Sequence, residues 1–574
     1  MQPSTNCRRH PLLTSSSSER RLTPQQEGTG KFAGGSITLW PLLAVMTTAF
    51  LVVLPFLFLG NPSGHDFEFH VNSWMEVLGQ WKQGILYPRW AVLAQYGYGE
   101  ARFIFYPPAS WTLGAALGAI LPWKIVPSAY VWIALTLSGC SMFFLARRWL
   151  ERRDAIFAAA FYAANPYYLV IVYWRSAFAE LLAGALLPLL LLYVLRSEDE
   201  GQEMVIPLAL IVAAAWLTNI PAAVMINYSL VLLIVILAAL KRSPRVLLHG
   251  AIAVLLGAAL AAFFLLPAAC ERKWVNIGEV LSPGVRPRDN FLFTHIADVD
   301  HNRFNFLVSL VASAEMIVLA IAALFSRQWR HRERHAWWML FGWAVAATLL
   351  NFSFTSFLWE HLPQLRYLQL PWRWLLCLNV SVALFLSMAW RRWIVRVLLC
   401  FSMFAVLVFV WQNVQPPWWE LAADFGQMLR NQQSGSGYEG TDEYVPLNAD
   451  PYQIKKDAPL VAFYDSAVPD QESQPRIQQW SAESKTFTIA TSQPERLVLR
   501  LFNYPAWRVA VNGRAVATTT RDVTGQMLIP VQAGENQVQI TFARTWDRTL
   551  GGIISSVSAL FVGGFVFIRR RRSR

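Results

Sequence analysis

Residues 64-GHDFEFHVNSWMEVLGQWKQGILYPRWAVLAQYGYGEARFIFYPPASW-111 decide how the chain is read. They follow directly on an apolar run, about Ser36 to Leu59, that is long enough to cross a bilayer, yet they open with His65, Asp66, Glu68 and His70. From Asp66 onward, Phe67, Val71, Trp74, Leu78 and Trp81 recur at spacings of three and four, while Glu68, Asn72, Glu76 and Gln80 lie on another face. That pattern predicts an interfacial amphipathic helix closing at Gly84. Asp66, His70 and Ser73 share a side near its start, where the unpaired N–H groups favour a carboxylate. Asp66 is therefore a helix cap, a reactive group, or both. His65 and His70 read as interfacial side chains or orienters of that carboxylate, since H-D-x-E-x-H matches no standard zinc spacing.

The surrounding composition makes this a polytopic membrane protein. Of 574 residues 55% are hydrophobic and only 15% charged, outside the range of a soluble domain. The 1–35 segment is polar and basic, and the apolar run after it is too long for a signal-peptide core and lacks a small-residue cleavage site, so it reads as a retained anchor. A net charge of +13 raises the question of nucleic acid. The basic residues do not form one patch with interleaved aromatics, which argues against it. They mark topology instead: Arg147/Arg148/Arg152/Arg153, Lys241/Arg242/Arg245, Arg327/Arg330/Arg332/Arg334, Arg391/Arg392/Arg396 and 569-RRRRSR-574 all fall on the cytoplasmic side under the positive-inside rule.

Runs of about 20 apolar residues stand near 37–59, 123–146, 155–174, 177–195, 204–220, 222–240, 246–267, 306–326, 336–357, 373–390, 393–413 and 549–568. They predict about twelve transmembrane helices with both termini cytoplasmic. The stretch 107–122 is apolar too, but counting it as a span inverts every later basic cluster, so it reads as a helix at the outer face. The expected organisation is a cytoplasmic tail 1–35, a transmembrane domain 36–414 with a first outer loop 60–122, an extracytoplasmic β-rich domain 415–548, and a last helix with a basic tail, 549–574. In 415–548 a helix-like 418–431 precedes alternating runs at 485–491, 496–502, 507–511, 526–531 and 537–543. Asn512-Gly513 between two of them is a hairpin signal, and together they predict a small β-sandwich. The five cysteines offer no disulfide framework or CxxC spacing.

Further candidate residues cluster at the same outer boundary. Glu180 with Arg175 nearby, in 173-YWRSAFAELLAG-184, is costly in apolar surroundings unless paired, hydrated or bound to a cation. Arg366 and Arg373 bracket a proline-containing loop leading into a helix, a geometry for holding an anionic head group, with ordinary interfacial anchoring as the other reading. Glu315, inside a span, reads as a buried helix–helix hydrogen bond.

The pieces 64-GHDFEFH-70, 87-YPRW-90, 97-GYGEARFIFYPP-108 and 146-ARRWLERR-153 resemble the GT-C superfamily of membrane glycosyltransferases, and more narrowly the bacterial membrane proteins labelled 6-pyruvoyl-tetrahydropterin-synthase-related. The tail 503-NYPAWRVAVNGRAV-516 with 529-IPVQAGENQVQITF-542 is similar to the C-terminal β-domain of bacterial membrane proteins that glycosylate envelope polymers. The resemblance implies an inverting transferase at the extracytoplasmic face of the bacterial cytoplasmic membrane. It would take a polyprenyl-phosphate-linked sugar and modify an envelope glycan, lipid or protein. By position Asp66 matches the general base and Glu180 the second acidic residue, which binds metal in some members. His65, Glu68, His70, Arg175, Arg366 and Arg373 are the accompanying substrate-binding candidates. Here Asp66 is preceded by histidine rather than followed by a carboxylate, which leaves a divalent metal at Asp66 and Glu180 an open question. A non-catalytic lipid-linked-glycan transporter or assembly factor is the alternative; it calls for charges lining the spans rather than clustered at one surface.

Overall fold

A bilayer offers the backbone no hydrogen-bond partner, so apolar runs close their own as helices. The structure, a computed structural model, describes residues 39–464 and 474–572. The expected 1–35 tail and Cys7 lie outside them. Among the described residues, nine helices are long and apolar enough to cross a membrane: Trp40–Leu59, Trp123–Ala146, Arg152–Arg175, Phe178–Ser197, Ile220–Lys241, Val299–Phe325, Pro371–Ala389, Trp393–Gln412 and Trp546–Arg571. Two bent pairs raise the number to eleven, Arg245–Leu260 with Ala262–Trp274 at 77° and Arg334–Leu349 with Ser353–His361 at 95°. The run expected at 204–220 is the 14-residue helix Val205–Thr218, about 21 Å long against a core of about 30 Å. The described residues thus hold nine to eleven candidate spans where the sequence predicts about twelve.

Pro108–Gly118 is an 11-residue helix, too short to span. It packs beneath the Phe67–Lys82 helix through Gly114, where an added Cβ would stand 2.1 Å from the Trp74 ring. Trp74 in turn stacks on Tyr130, with ring centroids 5.0 Å apart.

The Phe67–Lys82 helix forms with the expected periodicity, but it is not an interfacial helix with one wet face. Asn72, Glu76 and Gln80 are buried along with the apolar stripe, and of that polar row only Glu68 is exposed. The cause is the end of the Ala422–Gln433 helix and the chain that follows it, which lie across the polar face. Tyr438 donates its hydroxyl to Glu76 Oε2 at 2.5 Å and Gln432 donates to the Asn72 carbonyl at 3.2 Å. Gln80 reaches the Trp90 carbonyl at 2.9 Å.

Among its described residues the β-rich region forms two larger antiparallel sheets, besides the short Trp419–Glu420 strand that pairs with Asn61–Pro62 of the first loop. One orders Val461–Phe463, Glu495–Phe502, Gln526–Val531 and Thr519–Thr520. The other orders Arg476–Trp480, Ser484–Thr491, Gly534–Phe542, Trp507–Val511 and Arg514–Val516. Asn512 and Gly513, at φ 51° and 76°, turn the Trp507–Val511/Arg514–Val516 hairpin, the backbone sign this two-residue loop demands. One apolar cluster joins Leu499, Ile529, Phe487 and Val538 from both sheets to Trp90, Tyr98 and Phe105 of the first loop. Arg548 grips Glu271 with two 2.7 Å bonds while Tyr504 donates to the same carboxylate at 2.6 Å. The sheets are thereby fastened to the first loop, to the Ala262–Trp274 arm of one bent pair and to the start of the Trp546–Arg571 helix.

Candidate functional site

The site begins with a break in the Arg152–Arg175 helix. Asn165 accepts from the Tyr168 amide at 2.9 Å and Pro166 restarts the helix, the arrangement proline favours at a first helical position. The next turn, Ile171–Arg175, widens to π-helical spacing and ends at Ser176 in the left-handed region, φ 51°. Such widened turns mark functional positions. Here it projects Arg175 toward the following helix.

The first loop is stitched to this turn. Asp66 donates its amide to the Arg175 carbonyl at 2.8 Å, and Gly64 donates to Ser176 Oγ at 3.1 Å. At Gly64 an added Cβ would lie 2.4 Å from the Arg175 carbonyl carbon, so the close approach requires glycine.

Asp66 stands at the N-cap of the Phe67–Lys82 helix but makes no side-chain cap bond. Its Oδ1 takes the His65 Nδ1 at 2.9 Å and its Oδ2 faces Arg175 Nη2 at 3.6 Å. Burial works to raise this carboxyl, yet the His65 hydrogen bond with the His65 and Arg175 charges holds it well below the usual carboxylate range. Arg175 Nη1 donates to Glu180 Oε2 at 2.7 Å, and Tyr167 donates to Glu180 Oε1 at 2.5 Å. Arg373 enters from the Pro371–Trp374 turn, its Nε 3.1 Å from Glu180 Oε2. That contact is misaligned for a hydrogen bond, so a buried guanidinium N–H stays uncommitted. Its Nη1 donates to the Leu368 carbonyl at 2.6 Å.

Asp66, the neighbouring Arg175 and Glu180, and Arg373, drawn from three distant parts of the sequence, thus form one chain of charges at one end of the helix bundle. His70 is buried beside it in a cage of Phe69, Trp74, Tyr106 and Phe178 rings. Burial lowers it to about 4 despite the Asp66 charge, so it is neutral. Its ring does not bond the carboxylate. Glu68 is exposed on the first helical turn, outside the chain of charges. Arg366 is exposed as well, its guanidinium donating to Tyr367 at 3.0 Å. The structure does not bring it to Arg373. Glu315, as expected of a helix–helix bond, accepts from Asn379 at 2.9 Å and from the Tyr167 amide at 3.0 Å.

The donor set does not fit a divalent cation between Asp66 and Glu180. Arg175 occupies the place between the carboxylates, and both Glu180 oxygens already accept hydrogen bonds. Among the described residues no cluster of three or more His, Cys, Asp or Glu side chains has metal-holding geometry.

Sequence reasoning missed Tyr167 and Tyr106. The signal for Tyr167 was 165-NPYY-168, a polar helix break within an apolar run. Tyr106, in the YPP motif, lies edge-on to Phe69 at 4.8 Å. Burial and the Asp66 charge raise its phenol well above the ordinary range, so it remains a donor. Behind them Glu100 and Arg102 form a buried pair at 2.6 Å. Arg102 also holds Ser73 at 2.9 Å, and Glu100 accepts from the Thr441 amide at 2.9 Å.

A family model described as 6-pyruvoyl-tetrahydropterin synthase related domain, membrane protein, matches residues 103–416. No curated protein matches the chain. Among solved structures it is similar to the arabinofuranosyltransferase AftD from Mycobacteria, with TM-score 0.42 and 15% identity over 66% of this chain and 28% of that one. It is also similar to the Archaeoglobus fulgidus oligosaccharyltransferase in the apo form, with TM-score 0.38 and 13% identity over 71% and 57%. The archaeal oligosaccharyltransferase AglB from Archaeoglobus fulgidus, in complex with an inhibitory peptide and a dolichol-phosphate, gives TM-score 0.38 and 13% identity over 70% of this chain and 56% of that one. The chain therefore spans less than two thirds of each of these proteins.

Proposed function

The chain belongs to the family of membrane proteins described as 6-pyruvoyl-tetrahydropterin synthase related, and we propose that it is a glycosyltransferase drawing on a polyprenyl-phosphate-linked sugar. The observation that carries this reading is the Asp66–Arg175–Glu180–Arg373 chain, which sets a part-exposed carboxylate beside two buried guanidinium groups. A transfer from a lipid phosphate needs both halves. Cationic donors stabilise the charge that develops on the leaving phosphate, and a proton acceptor activates the incoming hydroxyl. Arg373, with its uncommitted Nε, and Arg175 serve the phosphate, and Glu180 holds both guanidinium groups in place. The acceptor hydroxyl enters at the His65–Asp66 end and attacks the anomeric carbon opposite the phosphate, which inverts that centre. Tyr106 supplies a neutral donor to the sugar. The acceptor is an envelope glycan, lipid or protein, met at the extracytoplasmic face of the cytoplasmic membrane. No step runs through a metal.

The transporter reading asks for charged groups along a path through the spans. Glu315, buried among them, is instead committed to Asn379 and Tyr167. The test is transfer by purified full-length protein from radiolabelled decaprenyl-phosphoryl hexoses and pentoses to octyl glycosides, wild type beside D66N. Transfer that falls 100-fold or more in D66N at equal protein level supports the reading. Equal transfer by the two proteins removes Asp66 from the chemistry and favours the transporter.

A further inference from the structure

His65 presents an atom that the reading above leaves idle. Its Nδ1 is bound to Asp66 Oδ1 at 2.9 Å, and its side chain is 83% exposed where that of Asp66 is 31% exposed. Because the carboxylate only accepts, the imidazole proton stands on Nδ1, which leaves Nε2 with a free lone pair on the open side. Asp66 is differently placed. One of its oxygens takes the imidazole, the other faces Arg175, and its amide is tied to the Arg175 carbonyl. We propose that Nε2 of His65, and not an oxygen of Asp66, takes the proton of the acceptor hydroxyl, with Asp66 as the positioning residue that fixes the imidazole tautomer. The proposal rests on the glycosyl-transfer reading and assigns the proton within it.

Electrostatics agrees with the geometry. The Asp66 hydrogen bond and charge raise the His65 imidazole above its ordinary value, against a partial loss of water around the ring and the Arg175 and Arg373 charges. A carboxylate held well below the usual range is a poor proton acceptor, whereas an imidazole raised above its ordinary value by that carboxylate is a better one. The groups facing the imidazole are Asp66 on its own loop, Arg175 at the end of one span and Arg373 at the start of another, with Glu180 behind the arginines.

The step balances. The acceptor oxygen forms a bond to the anomeric carbon, and the bond from that carbon to the phosphate oxygen breaks with its electron pair on the phosphate. The hydroxyl proton passes to Nε2, and the imidazolium is stabilised by the Asp66 carboxylate until it releases the proton to water.

Two measurements on the full-length protein test this. In the first, diethyl pyrocarbonate labelling is followed by mass spectrometry against pH, which resolves His65 among nine histidines. His65 should label with a midpoint above that of ordinary imidazole, and D66N should lower that midpoint. A His65 that resists the reagent, or whose midpoint ignores D66N, overturns the dyad. The second is the pH profile of transfer from decaprenyl-phosphoryl sugars to octyl glycosides. Wild-type kcat/KM should rise with pH through the same midpoint. H65Q, which can still donate to Asp66, should lose 10²-fold to 10⁴-fold in kcat, lose the rising limb, and recover in part with added imidazole. H65Q within threefold of wild type with its rising limb intact returns the proton to Asp66 and overturns the proposal alone. Wild-type protein that transfers no sugar from any of these donors counts against the glycosyl-transfer reading and takes the proposal with it.

Discussion

Replacing Arg175 by methionine tests whether the chain of charges is an integrated unit. Arg175 is 4% exposed and Glu180 1%, and they are joined at 2.7 Å. Losing one partner of so dry a pair costs about 3–5 kcal/mol, because the other charge is left buried. In this site Tyr167 still donates to Glu180 and Arg373 still stands 3.1 Å away, so the loss in R175M should lie near the lower end, about 3 kcal/mol. Denaturant unfolding in mixed micelles measures it. R175M/E180Q should lose no more than R175M alone, since the neutral amide no longer needs a counter-charge, and the double-mutant cycle should show strong coupling. A loss in R175M below about 1 kcal/mol, the range of a solvent-exposed pair, with additive effects in the double variant, would refute the integrated site.

Burial raises the Glu76 carboxyl to about 7, against the pull of the Tyr438 hydroxyl and Arg102. The folded state therefore holds this proton more tightly than the unfolded chain does. That stabilisation is full below the unfolded value near 4.5 and is lost as pH rises through about 7, amounting to about 3 kcal/mol at most; unfolding midpoints for E76Q should be correspondingly flatter across that window. Burial lowers Lys485 to about 7, so its neutral form is favoured and the fold weakens as pH falls toward that value. K485M should accordingly raise the unfolding midpoint at pH 6. G114A drives a methyl into the Trp74 ring and should cost about 1–3 kcal/mol by overpacking, read from the same titration. E271Q loosens the grip of Arg548 and Tyr504, and limited proteolysis should cut the 415–548 region faster than in wild type.

The parts legible in the sequence are those where one periodicity or one turn governs. Trp507–Val511 and Arg514–Val516 flank Asn512-Gly513 as the hairpin signal requires, and the apolar runs became helices within a few residues. Span counting suffered where length and straightness fail, at Val205–Thr218 and at the two sharp bends. The face of the Phe67–Lys82 helix was misjudged for a different reason. Glu76 and Asn72 read as wet because their partners, Tyr438 and Gln432, lie about 360 residues away. The site residues were individually visible as charges in apolar settings. Their joining through Arg175 was not, because it depends on a π-turn and on Gly64 meeting the Arg175 backbone. Arg366 and Arg373 look alike in sequence, and only the Pro371–Trp374 turn separates the buried one from the exposed one.

The role proposed for the Asp66 cluster is sugar transfer from a lipid carrier. It is tested most directly in cells that carry D66N in place of the wild-type protein, by mass spectrometry of envelope polymers and polyprenyl-linked intermediates. The asparagine keeps the size of the side chain, and no cap bond is lost because Asp66 makes none. D66N protein at normal abundance should abolish one sugar modification of the envelope and leave a lipid-linked sugar accumulated. An envelope and lipid pool indistinguishable from wild type, with D66N present at normal abundance, would contradict the account.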